Sequence, residues 1–530
     1  MSNLRNRIGL VCPSKGTIAK GFFELLADSF PGVFEIANGR DYGSLGGVIV
    51  CHGDVSTKDL GVPSLVVMAS SNVLKNARVQ FGHSSSVPAV FRNREVRQTQ
   101  AAVFDKGALD SCDEIIASAD GHPIWAGRTD ASCRRQICAV ALQQIENGRL
   151  LCQHLSGGAF VQLLPIIDFI RHVTDEDRWT APALRANIMF DDPNLHSVRY
   201  GWLDYSKLLN SARKHRYHAS FATIPLDTWF TSKKSAALIK SHATHLSLLV
   251  HGNNHLKDEL ARFPSAQAAI WAMSQALNRI RRLEQRTGIE VSKVVAAPHG
   301  ACSEETLGIM ARLGYEGACI SHGSLYHHNK DKGWTRRIGT AIAEVVAGMP
   351  IIPRFRLSLD SFNSILLAAY FNQPIIPVGH HQEAADGLKM VETVVDFINS
   401  VGDVRWFDMK TVCRGNFFSM LKGGELRIKT FTRICDLRIP PEITRLSVER
   451  SWLANNGPDS LRISREGREE LTLDTYAGET LPVSPNSMIE VASVHPDRID
   501  PVPTQGGVNL LALARRQLCE CRDRLSPHFS

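Results

Sequence analysis

The chain has 530 residues, 44% hydrophobic and 21% charged, with a formal net charge of +7 at pH 7. That composition excludes a collagen-like, coiled-coil or disordered protein, and the length predicts roughly two to four domains, each able to bury its own core. The charge excess is mild: its basic clusters (Arg279, Arg281, Arg282 and Arg286; Arg336 and Arg337; Arg515 and Arg516) read as solvated helix faces, not as a nucleic-acid surface. The 12 Cys contain no CxxC pair, which fits reduced, buried thiols better than a disulfide framework. The apolar run at 8–11 is too short for a signal segment, and no stretch reaches membrane-spanning length. The expectation is a soluble, cytoplasmic protein with no membrane span.

In chain order, three regions separate. Region 1–178 opens with an apolar strand at 8–12, a turn at Gly16 and a helical pattern through Phe22, Phe23, Leu25 and Leu26. Strands follow at 47–51 and 64–68, then β-rich stretches at 80–105 and 113–126, a mostly helical stretch at 134–172 and a linker at 178–183. This predicts an N-terminal α/β domain. Region 184–425 alternates apolar strands (186–190, 218–224, 246–250, 293–297, 317–320 and 375–378) with amphipathic helices such as 265–286 and 304–313. That is the rhythm of a parallel sheet or barrel. Region 426–530 has short β-like segments, turn residues at Asn455, Asn456, Gly457 and Pro458, and a terminal helix at 508–525. It predicts a small β-sandwich-like module.

Four polar motifs sit at the ends of the middle strands, where chemistry collects in such folds. Asp191 and Asp192 end the first strand. Adjacent side chains on a strand point opposite ways, so one carboxylate can meet a metal and the other a water; alone, Asp-Asp-Pro reads first as a turn. His251 and His255 follow the third strand. At a spacing of four, both imidazoles fall on one face of a helical turn and reach one ion, although a pair of surface histidines has the same spacing. Pro298-His299-Gly300 makes a tight loop able to aim a backbone N–H at a reacting oxygen. His380 and His381 follow the last strand, where a His can act as a general acid. The remaining histidines, among them His196, His215, His218, His242 and His245, read as packed or surface residues.

The order Asp-Asp, HxxxH, PxG and strand-His resembles the polysaccharide deacetylase superfamily, the NodB-homology carbohydrate esterases, over roughly 184–412. The resemblance implies a distorted (β/α) barrel and a metal-dependent hydrolase that removes an N-acyl group, acetyl above all, from an amino sugar or related amide. By position it makes Asp191 the base, Asp192, His251 and His255 the metal ligands, His380 the acid, and the His299 amide an oxyanion donor. Asn194, Asn254 and His381 become candidate substrate-binding residues. Zinc is the default divalent metal for a His/His/Asp set, with cobalt, nickel or iron also fitting. The implied substrate is a carbohydrate or a small N-acylated compound. The family's third motif begins with an Arg that braces the catalytic Asp, but Ala296 stands there and His299 replaces an aromatic residue. The Trp-containing fourth motif has no match. Arg354 is the candidate substitute for the missing Arg. The competing reading is a deacetylase-like barrel that binds a carbohydrate or metabolite without turnover.

One further motif lies in the first region. Val48-Ile49-Val50-Cys51-His52-Gly53 resembles the nucleophile turn of glutamine-amidotransferase-like proteins, which implies a Rossmann-like domain. No triad partner accompanies Cys51, so a buried thiol is the expected reading.

Overall fold

Short apolar runs bounded by turn residues become the buried parallel strands of this chain, such as Gly47–Cys51, Ile188–Asp191, Ala219–Thr223 and Leu246–Val250, as parallel sheets covered on both faces require. The computed structural model describes residues 7–11, 24–27, 29–30, 33–36, 42–51, 60–104, 114–129, 134–141, 150–174, 179–450, 460–465, 468–473, 480–504 and 510–529. Two compact units form. One comprises 1–179, 332–340 and 363–370; the other comprises 180–331, 341–362 and 371–530.

The first unit holds a nine-stranded sheet in the order Phe34–Ile36, Ile8–Val11, Gly47–Cys51, Ser64–Ala69, Arg134–Val140, His122–Thr129, Glu114–Ala119, Val73–Phe81 and Glu95–Ala102. The first five strands run parallel, and the rest continue as antiparallel pairs. The expected helical stretch at 134–172 is corrected here. Arg134–Val140 is a strand held between a parallel and an antiparallel neighbour, and among the described residues of this stretch helices occupy Leu151–His154 and Leu164–Val173. A short apolar run such as Ile137 to Val140 suits a buried strand or a buried helix equally, and sheet pairing decides between them. Cys51 is buried at the end of its strand. Gly16, Phe22, Phe23, His52 and Gly53 lie outside the described residues.

The second unit contains the barrel-like sheet, in the order Glu344–Val346, Met349–Ile352, Gly317–Cys319, Val291–Ala296, Leu246–Val250, Ala219–Thr223, Ile188–Asp191, Pro377–Gly379 and Phe355–Arg356. All neighbours are parallel except the first pair. Met349–Ile352 lies near one end of this order and Phe355–Arg356 forms the other, yet only Pro353 and Arg354 separate them in sequence. Three peptide steps reach no further than about 11 Å, so the sheet must curl until its ends approach. The result is a distorted, incompletely closed (β/α) barrel. Its interior layer takes Met189, Ala222, Leu249, Val294, Cys319 and Ile352 from successive strands, and Met409, Val412 and Cys413 of the helix Met409–Arg414 pack against it.

The same unit carries two four-stranded sheets. One comprises Phe417–Lys422, Glu425–Thr430, Arg445–Glu449 and Thr480–Pro482; the other comprises Ile434–Arg438, Met488–Val494, Ser460–Arg465 and Arg468–Leu473. Leu426, Ile428, Leu437, Leu446, Ile463 and Val491 are among the residues of their shared core, which is sandwich packing. The predicted turn residues Asn455, Asn456, Gly457 and Pro458 lie outside the described residues. The terminal helix, Leu510–Phe529, returns to the barrel, where Ala512 packs with Ile224 and Leu226.

Phe221 is fully buried on the strand beside Asp191 and packs on Tyr205 and Phe190, with ring centroids 4.7 and 6.5 Å away. Phe221→Ala is expected to destabilise this unit by about 3–5 kcal/mol through cavity formation. Denaturant titration checks this, and an unchanged midpoint would contradict the packing.

Candidate metal centre

Asp191 is the last residue of its strand, and Asp192 follows with φ +80° while its N–H donates to the Ala222 carbonyl at 3.2 Å. The turn separates the two carboxylates. His251 directly follows Leu246–Val250 and donates its backbone N–H to the Thr223 carbonyl at 3.0 Å. The expected helical turn between His251 and His255 is corrected: residues 251–255 form a bent loop with positive φ at Gly252 and His255. The buried Glu259 carboxylate holds this loop, accepting from the N–H groups of Asn253, Asn254 and His255 at 3.1, 2.8 and 3.1 Å. Gly252 is needed on two counts. Its φ is +61°, and a Cβ would lie 2.7 Å from Pro298 and 2.8 Å from a Glu259 oxygen.

These loops bring ligand atoms of Asp192, His251 and His255 within 4.8 Å of one another. His255 Nε2 is 3.2 Å and His251 Nε2 3.6 Å from Asp192 Oδ1. His251 Nδ1 donates to the Ala296 carbonyl at 2.9 Å, which leaves Nε2 facing the cluster. Asp192 Oδ1 is buried without a hydrogen-bond partner. Burial pushes His251 down, and burial with the neighbouring His251 pushes His255 down to about 3, so both imidazoles favour the neutral, coordinating form. Burial opposes the Asp192 charge, but His255, His251, Arg516 and His380 outweigh it and hold the carboxyl below its usual range. One carboxylate, two neutral imidazoles and an orphaned buried oxygen suit a divalent cation.

Arg354 reaches Asp191 from the barrel seam. Its Nη1 donates to both carboxylate oxygens at 3.1 and 3.0 Å, and its Nη2 donates to the Ala297 carbonyl at 2.9 Å. Both side chains are 7% exposed. A cavity of about 490 Å³ opens over these groups, lined also by His299, Ser321, Ser324, Arg356, His380 and Glu383. His299 takes φ +55°, with its ring 5.0 Å from that of His255. The His380 backbone N–H donates to Glu383 at 2.8 Å.

Three expected substrate-binding residues are not brought to this cavity. Asn194 is fully buried, and its Oδ1 accepts from the His196 N–H at 3.2 Å. The Asn254 amide oxygen accepts from Arg279 at 2.9 Å. His381 is 2% exposed, stacks on Trp202 at 5.2 Å and faces Asp523 at 3.6 Å. Of the two adjacent histidines, His380 therefore lines the cavity and His381 belongs to the packing.

The reading of every basic cluster as a solvated face is also corrected. Arg279 braces the His251–His255 loop through Asn253 and Asn254. Arg516 is 4% exposed, pairs with Asp227 at 2.8 Å and lies 4.0 Å from Asp192. Glu520 and Asp523 share its helix face: Glu520 meets His196 at 2.9 Å, and Asp523 accepts from the Tyr200 hydroxyl at 2.8 Å. The available signal was polar residues at 516, 520 and 523, one helix face, with Leu511, Leu518 and Leu525 on another. Here the polar face is the buried one, and the leucines are exposed.

No protein-family model matches the chain, and no curated protein matches it either. Solved structures do. Agd3, a carbohydrate deacetylase, aligns over 92% of this chain and 99% of its own at 9% identity and a TM-score of 0.46. PuuE allantoinase aligns over 44% and 90% at 12% identity and a TM-score of 0.30. A family 4 carbohydrate esterase from Streptomyces lividans aligns over 42% and 88% at 12% identity and a TM-score of 0.23. Likenesses of this strength leave the functional reading to the chain's own residues. Among the described residues no helix is long and apolar enough to cross a membrane.

The terminal helix docks through a pH-sensitive pair. Burial opposes ionisation of Glu520, but His196 and Arg524 outweigh it and hold the carboxyl down to about 2 from an ordinary 4.5. Burial opposes protonation of His196, but Glu520 and Asp227 raise it above an ordinary 6.5. The Glu520 contribution is thus present above pH 4.5 and lost as pH falls toward 2. The His196 contribution is full below pH 6.5 and lost as pH rises through its raised value. The stability gap between wild type and Glu520→Gln should be widest between pH 4.5 and 6.5 and shrink on both sides. Denaturation midpoints across the pH range check this, and a gap independent of pH would refute the pairing.

Proposed function

We propose that the chain is a divalent-metal-dependent hydrolase that removes an N-acyl group, acetyl above all, from an amino sugar or related amide. The observation that carries this reading is a single cavity holding the Asp192, His251 and His255 cluster beside an Asp191 braced by Arg354, with His380 on its wall. Asp192, His251 and His255 would hold the ion, zinc by default, and when bound it supplies Lewis acidity to the acyl carbonyl and to water.

Each remaining role falls to a side chain or amide of this chain. Asp191, oriented by Arg354, takes the proton of the attacking water. The His299 N–H donates to the oxygen on which charge develops. His380 donates a proton to the departing nitrogen. Arg354 performs from the link between two other strands the bracing that a residue at Ala296 cannot. That bracing speaks against the competing reading of a barrel that binds without turnover, since an idle site has no use for a buried, charge-paired Asp191. The catalytic segment in this proposal is 184–425, flanked by the α/β region 1–178 and the β-rich module 426–530.

Purified wild type should carry near-stoichiometric metal by mass spectrometry, and Asp192→Ala should lose it. Arg354→Ala should retain metal yet lower kcat on an N-acetyl amide by about 10–100-fold, the usual scale for removing a supporting partner. Wild type without metal after incubation with zinc, or Arg354→Ala with unaltered kcat, would count against the mechanism.

A further inference from the structure

The terminal helix Leu510–Phe529 reverses the usual amphipathic arrangement. Its only acids, Glu520 and Asp523, are buried, and so is Arg516. Its leucines face outward: Leu510, Leu511, Leu518 and Leu525 are 74%, 85%, 73% and 51% exposed. At 3.6 residues per turn, Leu511, Leu518 and Leu525 all lie within about 40° of the line opposite Arg516. Spaced by seven, they form one stripe about 21 Å long, with the exposed Ala514 and Cys521 between them. The helix cannot roll to hide this stripe without breaking the contacts of its other face. There Arg516 pairs with Asp227 at 2.8 Å, Glu520 with His196 at 2.9 Å, and Asp523 accepts from the Tyr200 hydroxyl at 2.8 Å. Apolar area held in solvent by buried charge pairs is a contact surface.

We propose that this stripe docks on an anionic lipid bilayer. The residues flanking it decide the occupant. Arg515 and Arg522 are exposed along one side of the leucines, and neither acid of the helix reaches that side. Arg522 stays 72% exposed even while it meets Asp523 at 2.7 Å. Leucine bordered by arginine matches a surface that is negative at its headgroups and apolar just beneath them. A second copy of this chain is a poorer match. A stripe no wider than the helix covers on the order of 200 Å², against about 800 Å² for each partner of a stable dimer. Antiparallel pairing of the stripe with itself would also set arginine against arginine. Among the described residues no helix is long and apolar enough to cross a membrane, so the contact proposed is peripheral. Arg516, on the opposite face, lies 4.0 Å from Asp192. Docking therefore leaves little more than one helix, about 10 Å thick, between the lipid and the metal cluster. The proposal does not depend on the activity proposed above.

The test is flotation of the full-length protein with two kinds of vesicle, phosphatidylcholine alone and phosphatidylcholine mixed about 2:1 with phosphatidylglycerol. Wild type should bind the anionic vesicles the more tightly, and high salt should weaken that binding. The double variant Leu511→Gln, Leu518→Gln should lose about tenfold or more in vesicle binding. Arg515→Gln should lose about fivefold, on the anionic vesicles only. All three side chains are exposed, so matching melting curves will show that the variants fold. The docking is overturned if wild type binds neither vesicle, if it binds both equally, or if the leucine variant binds as wild type does. Sedimentation velocity without vesicles reads the alternative occupant. A dimer that the leucine substitutions dissociate assigns the stripe to a second copy and overturns the lipid reading. An oligomeric state that they leave unchanged, together with leucine-dependent binding to anionic vesicles, supports it.

Discussion

Arg354 occupies the two-residue link between strands that belong to opposite ends of the barrel sheet. Its guanidinium joins Asp191, on a central strand, to the Ala297 carbonyl, just past another strand end. The link that curls the sheet therefore also carries the partner that orients Asp191, through one buried ion pair. A pair this enclosed forfeits much hydration, and its Coulomb attraction alone need not compensate. Its value lies in geometry: with both carboxylate oxygens held, Asp191 has one orientation available, facing the cavity. Removing either partner leaves the other buried without its counter-charge, and barrel closure and site architecture meet at the same residue.

A second set of charges follows from the first. Asp192 points the other way, into the cluster with His251 and His255, and buried histidines favour neutrality. The permanent cation near Asp192 comes from Arg516, over three hundred residues away in sequence, and Asp227 in turn balances Arg516. Glu259 plays the corresponding part for the loop, converting three backbone N–H groups into a support for His255. The centre is thus a small set of donors held in place by a wider ring of ionic and backbone contacts drawn from the barrel loops, a barrel helix and the terminal helix.

The strand-ending motifs were legible because they are local. A short, largely apolar run that ends at or just before a carboxylate or a histidine states both the strand and the position of the polar group at its end, and that holds for Asp191, His251 and His380. Arg354 was legible only by elimination, from Ala296 standing where an Arg was expected. Asn194, Asn254 and His381 do not line the cavity, because proximity along the chain says little about direction. One residue past a strand end, a side chain can face the cavity, as His380 does, or pack under a neighbouring element, as His381 does.

By itself, the sequence determined the alternation of strands and helices in the middle region, the β character of most of the third, and the donor types at the strand ends. These are properties of short stretches, where periodicity and turn chemistry act between near neighbours. Tertiary structure alone decided that Arg134–Val140 is a strand, since its state depends on partners at 64–69 and 122–129. It also decided that the polar face of the terminal helix is buried. A helix normally hides its apolar face, but paired charges can be buried when each meets an opposite charge, and Asp227 and His196 provide that for Arg516 and Glu520. No local pattern encodes that exchange, because both members of each pair come from distant parts of the chain.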